Sequence, residues 1–299
     1  MRLIATVLCP LLLLLAVPVQ AATAWNAVTQ DRAPDAEHPA VNRQVLVPSA
    51  GEGMNALFFL ASGAGPKPTV VLLHGLPGNE KNLDLAQAMR RAGWNVLTFH
   101  YRGSWGSPGE FSIAGAVEDA EAAMQFVRQP EIAARYSIDP ARLVIAGHSL
   151  GGYAAARYAS THSDFAGLIL LDAWDAGLEG KYLRANPAEQ AGFTASFDDL
   201  GNSLNGADAQ SLTSDVVALG ADQDFESLVP RLALHPTLSV WADKGMAESN
   251  AALAGAIAAQ PKARITTANL PSDHSFSDQR IALAQVVVDW LELLAKSSP

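Results

Sequence analysis

Residues 69–75 read TVVLLHG and residues 95–101 read NVLTFHY. Neither run alternates apolar with polar residues. A strand with one wet face alternates, so these predict strands covered on both faces, as in a parallel sheet flanked by helices. Comparable runs recur at ARLVIAG (141–147), FAGLILLDAW (165–174), PTLSVWA (236–242) and ARITTANL (263–270). Helical spacing fills the gaps between them. EKNLDLAQAMRRAG stops at Gly93, and AGAVEDAEAAMQFVRQ sets Val117, Ala120, Met124 and Val127 on one face. SLGGYAAARYAS and ESNAALAGAIAAQ follow, and a last helix is predicted from about Asp278 to Lys296, with Ser275 and Asp278 in capping-box spacing at its start. Strand and helix in alternation predict an α/β fold with a mostly parallel central sheet. RQVLVPSA and NALFFLAS, separated by GEG, predict a hairpin ahead of it. Residues 175–235 break the rhythm with polar pieces and short helical patterns. They predict a helical insertion above the C-terminal edge of the sheet, where such sheets bind ligands.

The N-terminus, MRLIATVLCPLLLLLAVPVQAATA, carries one basic residue, Arg2, a leucine-rich run and small residues at Ala21 to Ala24. This is the pattern of a secretory signal peptide over residues 1–24, and Pro10 and Pro18 bound an apolar run shorter than the roughly 20 residues of a membrane span. An exported chain, periplasmic or secreted, is expected. The single cysteine, Cys9, lies in that segment and Leu8 precedes it, which argues against a lipid-modified cysteine. The mature chain therefore carries no thiol chemistry. Residues 25–40 are polar and proline-bearing and read as a leader with the composition of a partly disordered segment. Residues 41–299 read as one domain. Formal charge is −10, and −11 once Arg2 is removed (19 basic minus 30 acidic). An acidic chain without a basic run argues against nucleic acid and anionic membranes as partners.

The stretch LVIAGHSLGGYAAARYA (143–159) places Ser149 between glycines, directly after a buried strand and before a small-residue helix. G-x-S-x-G in that context is a nucleophile elbow: the turn is too tight for side chains, the serine stands clear of the sheet, and the helix N-terminus favours negative charge developing beside it. A nucleophilic serine needs a base and donors for an oxyanion.

These features together resemble the α/β-hydrolase family over about residues 41–297. The resemblance rests on LLHGLPGN after the third strand, FHYRGSWGSPGEFS after the fourth, GHSLGG at the elbow and SDHSFSD before the final helix. HYRGSWGSPG is most similar to the branch of dienelactone hydrolases and prolyl-oligopeptidase-like enzymes. Of the seven histidines, His274 alone sits in a loop after the last strand, where the resemblance implies the base. It also implies that the backbone N–H groups of Leu76 and Leu150 form the oxyanion hole. Many family members carry G-x-x-D after the seventh strand. Here the stretch is SVWADKGMAES, with Gly245 in that register and Asp243 two residues earlier. Asp243 is the favoured acid. Asp172 and Asp175, at the end of the sixth strand, are the rivals, with Glu248 behind them. Asp273 adjoins the base directly and is set aside.

The remaining features carry less. Tyr101 and Arg102 read as braces of the loop after the fourth strand. Trp105, Trp174 and Trp241 lie near one edge, as pocket lining or core. No His/Cys/carboxylate cluster has metal-ligand spacing and no glycine-rich phosphate loop appears, so no cofactor is expected. The expected function is hydrolysis of an ester or thioester through an acyl-enzyme on Ser149. A serine peptidase of prolyl-oligopeptidase-like type and a non-catalytic binding protein on the same fold are the alternatives. Gly245 at the acid register is the feature favouring the last. Substrate identity and oligomeric state are not legible.

Overall fold

A computed structural model describes residues 25–197, 200 and 202–297. The signal-peptide segment lies outside the described residues. Eight strands form one sheet: β1 (Val41–Ser49), β2 (Glu52–Leu60), β3 (Lys67–Leu73), β4 (Asn95–Phe99), β5 (Ile138–His148), β6 (Gly167–Leu171), β7 (Pro236–Lys244) and β8 (Arg264–Asp273). Their spatial order is β1-β2-β4-β3-β5-β6-β7-β8. β2 pairs antiparallel with β1 and β4, and every other pairing is parallel. The predicted hairpin is β1–β2. Ala50 and Gly51 connect them, both at positive φ (46° and 88°), the signature of a primed two-residue turn.

The continuous apolar runs have the predicted consequence. All five residues of β6 are buried, as are six of the seven in β3. Alternate residues of β5 serve two cores: Leu143 and Ile145 face one, Val144 and Ala146 the other. On the second face lie α1 (Leu83–Arg91) and the final helix α10 (Arg280–Ser297), through Leu85, Met89, Leu283, Val287 and Leu291. On the first lie α2 (Ile113–Arg128), α4 (Leu150–Thr161), α8 (Phe225–Leu232) and α9 (Ala247–Ala258). A short α3 (Pro130–Arg135), without a buried residue and so without a hydrophobic face to read, went unpredicted.

Two local expectations are corrected. The leader is seated on the domain: Ala27 is buried, its carbonyl accepts from Arg91 Nε at 2.6 Å, and Asn26 Nδ2 donates to Gln285 Oε1 at 2.7 Å. Ser275 and Asp278 form no capping box. Asp278 Oδ1 instead accepts from Ser272 Oγ, the Ser275 carbonyl accepts from Arg280, and helix α10 opens two residues past Asp278.

The stretch 175–235 supplies α5 (Ala176–Ala185), a 3₁₀ turn (Pro187–Glu189), α6 (Gln190–Ala195), α7 (Ala209–Ala218) and α8. Its 203–205 segment is stitched to the loop after β4. Trp105 N–H donates to the Ser203 carbonyl (2.9 Å), Asn205 N–H to that of Gly103 (2.7 Å), and Phe111 N–H to that of Asn205 (2.9 Å).

Candidate active site

Ser149 sits between β5 and α4 with φ 55° and ψ −119°, a conformation non-glycine residues rarely adopt. Such strain costs on the order of 1–3 kcal/mol and needs its surroundings to hold it. They do. Ser149 N–H donates to the Leu171 carbonyl at the end of β6, and its own carbonyl accepts from Trp174 N–H, each at 3.1 Å. The flanking glycines answer to contact. A β-carbon on Gly147 would lie 2.0 Å from the Gly151 carbonyl oxygen, and one on Gly151 would lie 2.5 Å from that of Leu73.

His274 Nδ1 lies 2.5 Å from Asp172 Oδ2. The carboxylate beside the histidine is thus Asp172, and the sequence-based preference for Asp243 is corrected. The reason is strand periodicity. Ala242 is buried, so Asp243, next along β7, faces solvent. Asp172 is fully buried, at φ 41°, just past β6. Its Oδ1 accepts from Ala242 N–H at 3.1 Å, and its Oδ2 from Met246 N–H at 3.0 Å. The turn after β7 therefore serves the acid through its backbone. Gly245 is the residue that admits it: a β-carbon there would lie 1.8 Å from Asp172 Oδ2. The Asp172 carboxylate occupies the space a side chain at 245 would fill. Asn250, fully buried on α9, fixes the same corner by accepting from Ala173 N–H and donating to the Ala173 and Met246 carbonyls. Nothing in the sequence distinguishes Asn250 from an ordinary helical asparagine.

Of the other acids, Asp175 caps α5 by accepting from Leu178 N–H and also accepts from Phe225 N–H at 3.1 Å, tying both ends of the 175–235 stretch together. Burial pushes its carboxyl up to about 6. Glu248 is exposed on α9. Asp273 accepts from Ser275 and Ser277 N–H, and these bonds hold its pKa down.

His148, the variable residue of the elbow motif, carries a role not read from the sequence. It is buried, its Nε2–H donates to the His274 carbonyl at 2.8 Å, and the two rings are 4.7 Å apart. Burial, followed by the His274 charge, depresses His148 to about 4, so it is a neutral anchor near pH 7. The Leu150 amide heads α4, where N–H groups lack intrahelical acceptors. Leu76 follows Gly75, whose Cα packs so close to the elbow that a β-carbon would come within 2.8 Å of Ser149 Cβ. No hydrogen bond joins Ser149 Oγ to His274 in this structure, and such bonds commonly tighten only when substrate binds. Among the described residues no group of three or more His, Cys, Asp or Glu side chains could hold a metal ion.

Residues 70–292 match the model of the alpha/beta hydrolase family. The chain belongs to that family. This alpha/beta hydrolase is 32% identical over 118 residues to an uncharacterized protein of Mycobacterium tuberculosis, covering 39% of the chain and 40% of the relative. It is 34% identical over 100 residues to the uncharacterized protein YfhR of Escherichia coli, covering 32% and 34%. The matches thus span well under half the length of these relatives. Among solved structures, a carboxyl esterase from Bacillus coagulans superposes with a TM-score of 0.65 at 15% identity, over 85% of this chain and 99% of that one.

The loop braces of this hydrolase fold behave as read. Tyr101 Oη donates to the His74 carbonyl at 2.9 Å, and Arg102 pairs with Asp119 and Glu118. Trp174 is half-buried near Phe193, with ring centroids 6.5 Å apart, and Trp105 Nε1 donates to the Pro77 carbonyl at 2.6 Å.

Proposed function

We propose that this protein is a serine hydrolase that cleaves a small carboxylic ester or thioester through an acyl-enzyme on Ser149. The observation that carries this reading is the pairing of His274 with the buried Asp172 carboxylate, in a chain whose elbow serine is held at φ 55°. Donation of Nδ1–H to Asp172 leaves Nε2 as the bare nitrogen of His274, the form a general base requires. In the proposed reaction Nε2 takes the Ser149 proton as Oγ attacks the carbonyl carbon. The Leu76 and Leu150 N–H groups hold the oxyanion, and the imidazolium, stabilised by Asp172, protonates the leaving group. Water then attacks the acyl carbon by the same route and frees Ser149.

Likeness in fold to a carboxyl esterase and the resemblance of HYRGSWGSPG to dienelactone hydrolases both support a small ester. The helices of 175–235 act as the lid that shapes its pocket, and residues 1–24 support export, so the substrate is met in the periplasm or outside the cell. A dead binding module drew its support from Gly245. That support falls away when the space at 245 belongs to the Asp172 carboxylate.

The test is labelling of the mature protein with a fluorophosphonate and mass mapping of the adduct, with turnover of p-nitrophenyl esters measured in parallel. An adduct on Ser149, absent in S149A together with turnover, is expected. Turnover retained by S149A would exclude Ser149 as the nucleophile.

A further inference from the structure

The loop from Gly75 to Gly78 carries the Leu76 N–H that the proposed reaction assigns to the oxyanion. Side-chain donors fix its backbone on both sides of that residue. His74 Nδ1–H donates to the Gly75 carbonyl at 2.7 Å. That carbonyl and the Leu76 N–H belong to one planar peptide group, so the bond sets the direction of the amide. Beyond Leu76, the indole Nε1–H of Trp105 donates to the Pro77 carbonyl at 2.6 Å. The loop runs between the two rings: a β-carbon on Gly78 would lie 2.7 Å from His74 Cε1 and 3.0 Å from Trp105 Nε1.

His74 is buried directly after β3. Trp105 is 37% exposed, so core packing does not account for its position. Its backbone sits at φ 47°, in the left-handed region where a bulky residue is an outlier. Strain of this kind persists only where the surroundings over-determine it, and it clusters at functional sites. Here Trp105 N–H donates to the Ser203 carbonyl and Ser107 N–H to that of Ser104, each at 2.9 Å. Ser104 also pairs with Leu204 in an antiparallel bridge. The Lys81 ammonium lies 3.6 Å from the indole centroid, a cation–π contact that favours this orientation of the ring. The two N–H groups of Trp105 thus bind two different segments. The backbone one holds the 203–205 segment, and the indole one holds the oxyanion loop.

We propose that Trp105 is a positioning residue for the oxyanion hole: by holding the Pro77 carbonyl it keeps the Leu76 amide aimed at the developing charge. The inference rests on the hydrolase reading. Trp105 acts through Leu76, whose bond to the oxyanion strengthens in the transition state. Its loss therefore shows in kcat and leaves KM in place.

The experiment is steady-state hydrolysis of p-nitrophenyl acetate by the mature protein and two variants. One is Trp105→Phe. The other carries β-(3-benzothienyl)alanine at position 105, which keeps the fused ring and replaces the N–H by sulfur. Thermal melts monitor folding. Removing an oxyanion donor outright costs ~10²–10³ in kcat, and here the donor stays but loses its support. A fall in kcat of about tenfold or more is expected in both variants, with KM within about twofold. Full kcat in the sulfur variant would overturn the inference, since ring shape alone would then suffice. A rise in KM at constant kcat would overturn it as well. Fluorophosphonate labelling of the unsubstituted protein separates the two readings. No adduct on Ser149 sinks both, whereas an adduct on Ser149 with unchanged kcat in the variants sinks this one alone.

Discussion

Asp172 and His274 stand 102 positions apart in the chain, yet their side chains meet at 2.5 Å. The carboxylate reaches the histidine from the end of β6, and β7 and the turn after it contribute only backbone N–H groups, those of Ala242 and Met246. D172N should therefore lower kcat/KM for a chromogenic ester by ~10³–10⁴, since an amide leaves the imidazole in the wrong tautomer. D243N should stay within about twofold, because its exposed side chain touches nothing at the site. Steady-state kinetics on the two variants decide the matter, and equal losses would reopen the assignment.

Gly245 is not in the left-handed region, so alanine suits its backbone. The conflict lies with the Asp172 carboxylate, Oδ2 at 1.8 Å and Cγ at 2.7 Å from the added β-carbon. G245A should lose ~10²-fold or more in kcat by displacing the carboxylate. The low-field proton resonance of His274 Nδ1–H should weaken with it.

His148 holds the backbone of His274. H148L should slow fluorophosphonate labelling ~10-fold or more by loosening the base, and should cost about 1 kcal/mol in urea unfolding for the lost hydrogen bond. H148Q, which keeps an N–H donor, should recover much of the labelling rate. A purely space-filling role would favour the leucine.

Four histidines are depressed by burial from 6.5: His74 to about 3, His100 and His148 to about 4, and His235 as well. The unfolded chain binds more protons than the native one below pH 6.5, so stability rises with pH through this window and is lost as pH falls from 6.5 toward 4. Asp175, raised to about 6 by burial, and Glu179, also raised by burial, act in the opposite sense but are fewer than the histidines. The melting temperature should fall steadily between pH 6.5 and pH 4. Calorimetry in buffers of different ionisation enthalpy should show net proton uptake on unfolding.

Ser149 is held where only glycine is at ease. S149G should exceed S149A in urea stability by about 1 kcal/mol, with both inactive. Equal stabilities would mean that the surrounding bonds remove the strain.

The fold was legible because burial on both faces leaves unbroken apolar runs such as TVVLLHG and GLILL. The elbow was legible because its glycines are forced by backbone contact. The partner of His274 was legible only as a rival. Asp172 stands behind Asp243 because a strand-end aspartate also fits a turn-capping role and Gly245 reads as a missing carboxylate, until β6 and β7 are laid side by side. The seating of the leader was equally hidden, since it depends on Arg91 and Gln285 far along the chain.

The close packing of Gly245 against Asp172 also governs how this lineage can change. A carboxylate introduced at 245 would collide with the one already there, and removing Asp172 first would leave His274 Nδ1 without its carboxylate partner. The two positions are therefore sterically coupled: an acidic side chain at 245 and the one at 172 compete for the same space, so relocating the carboxylate calls for both changes together.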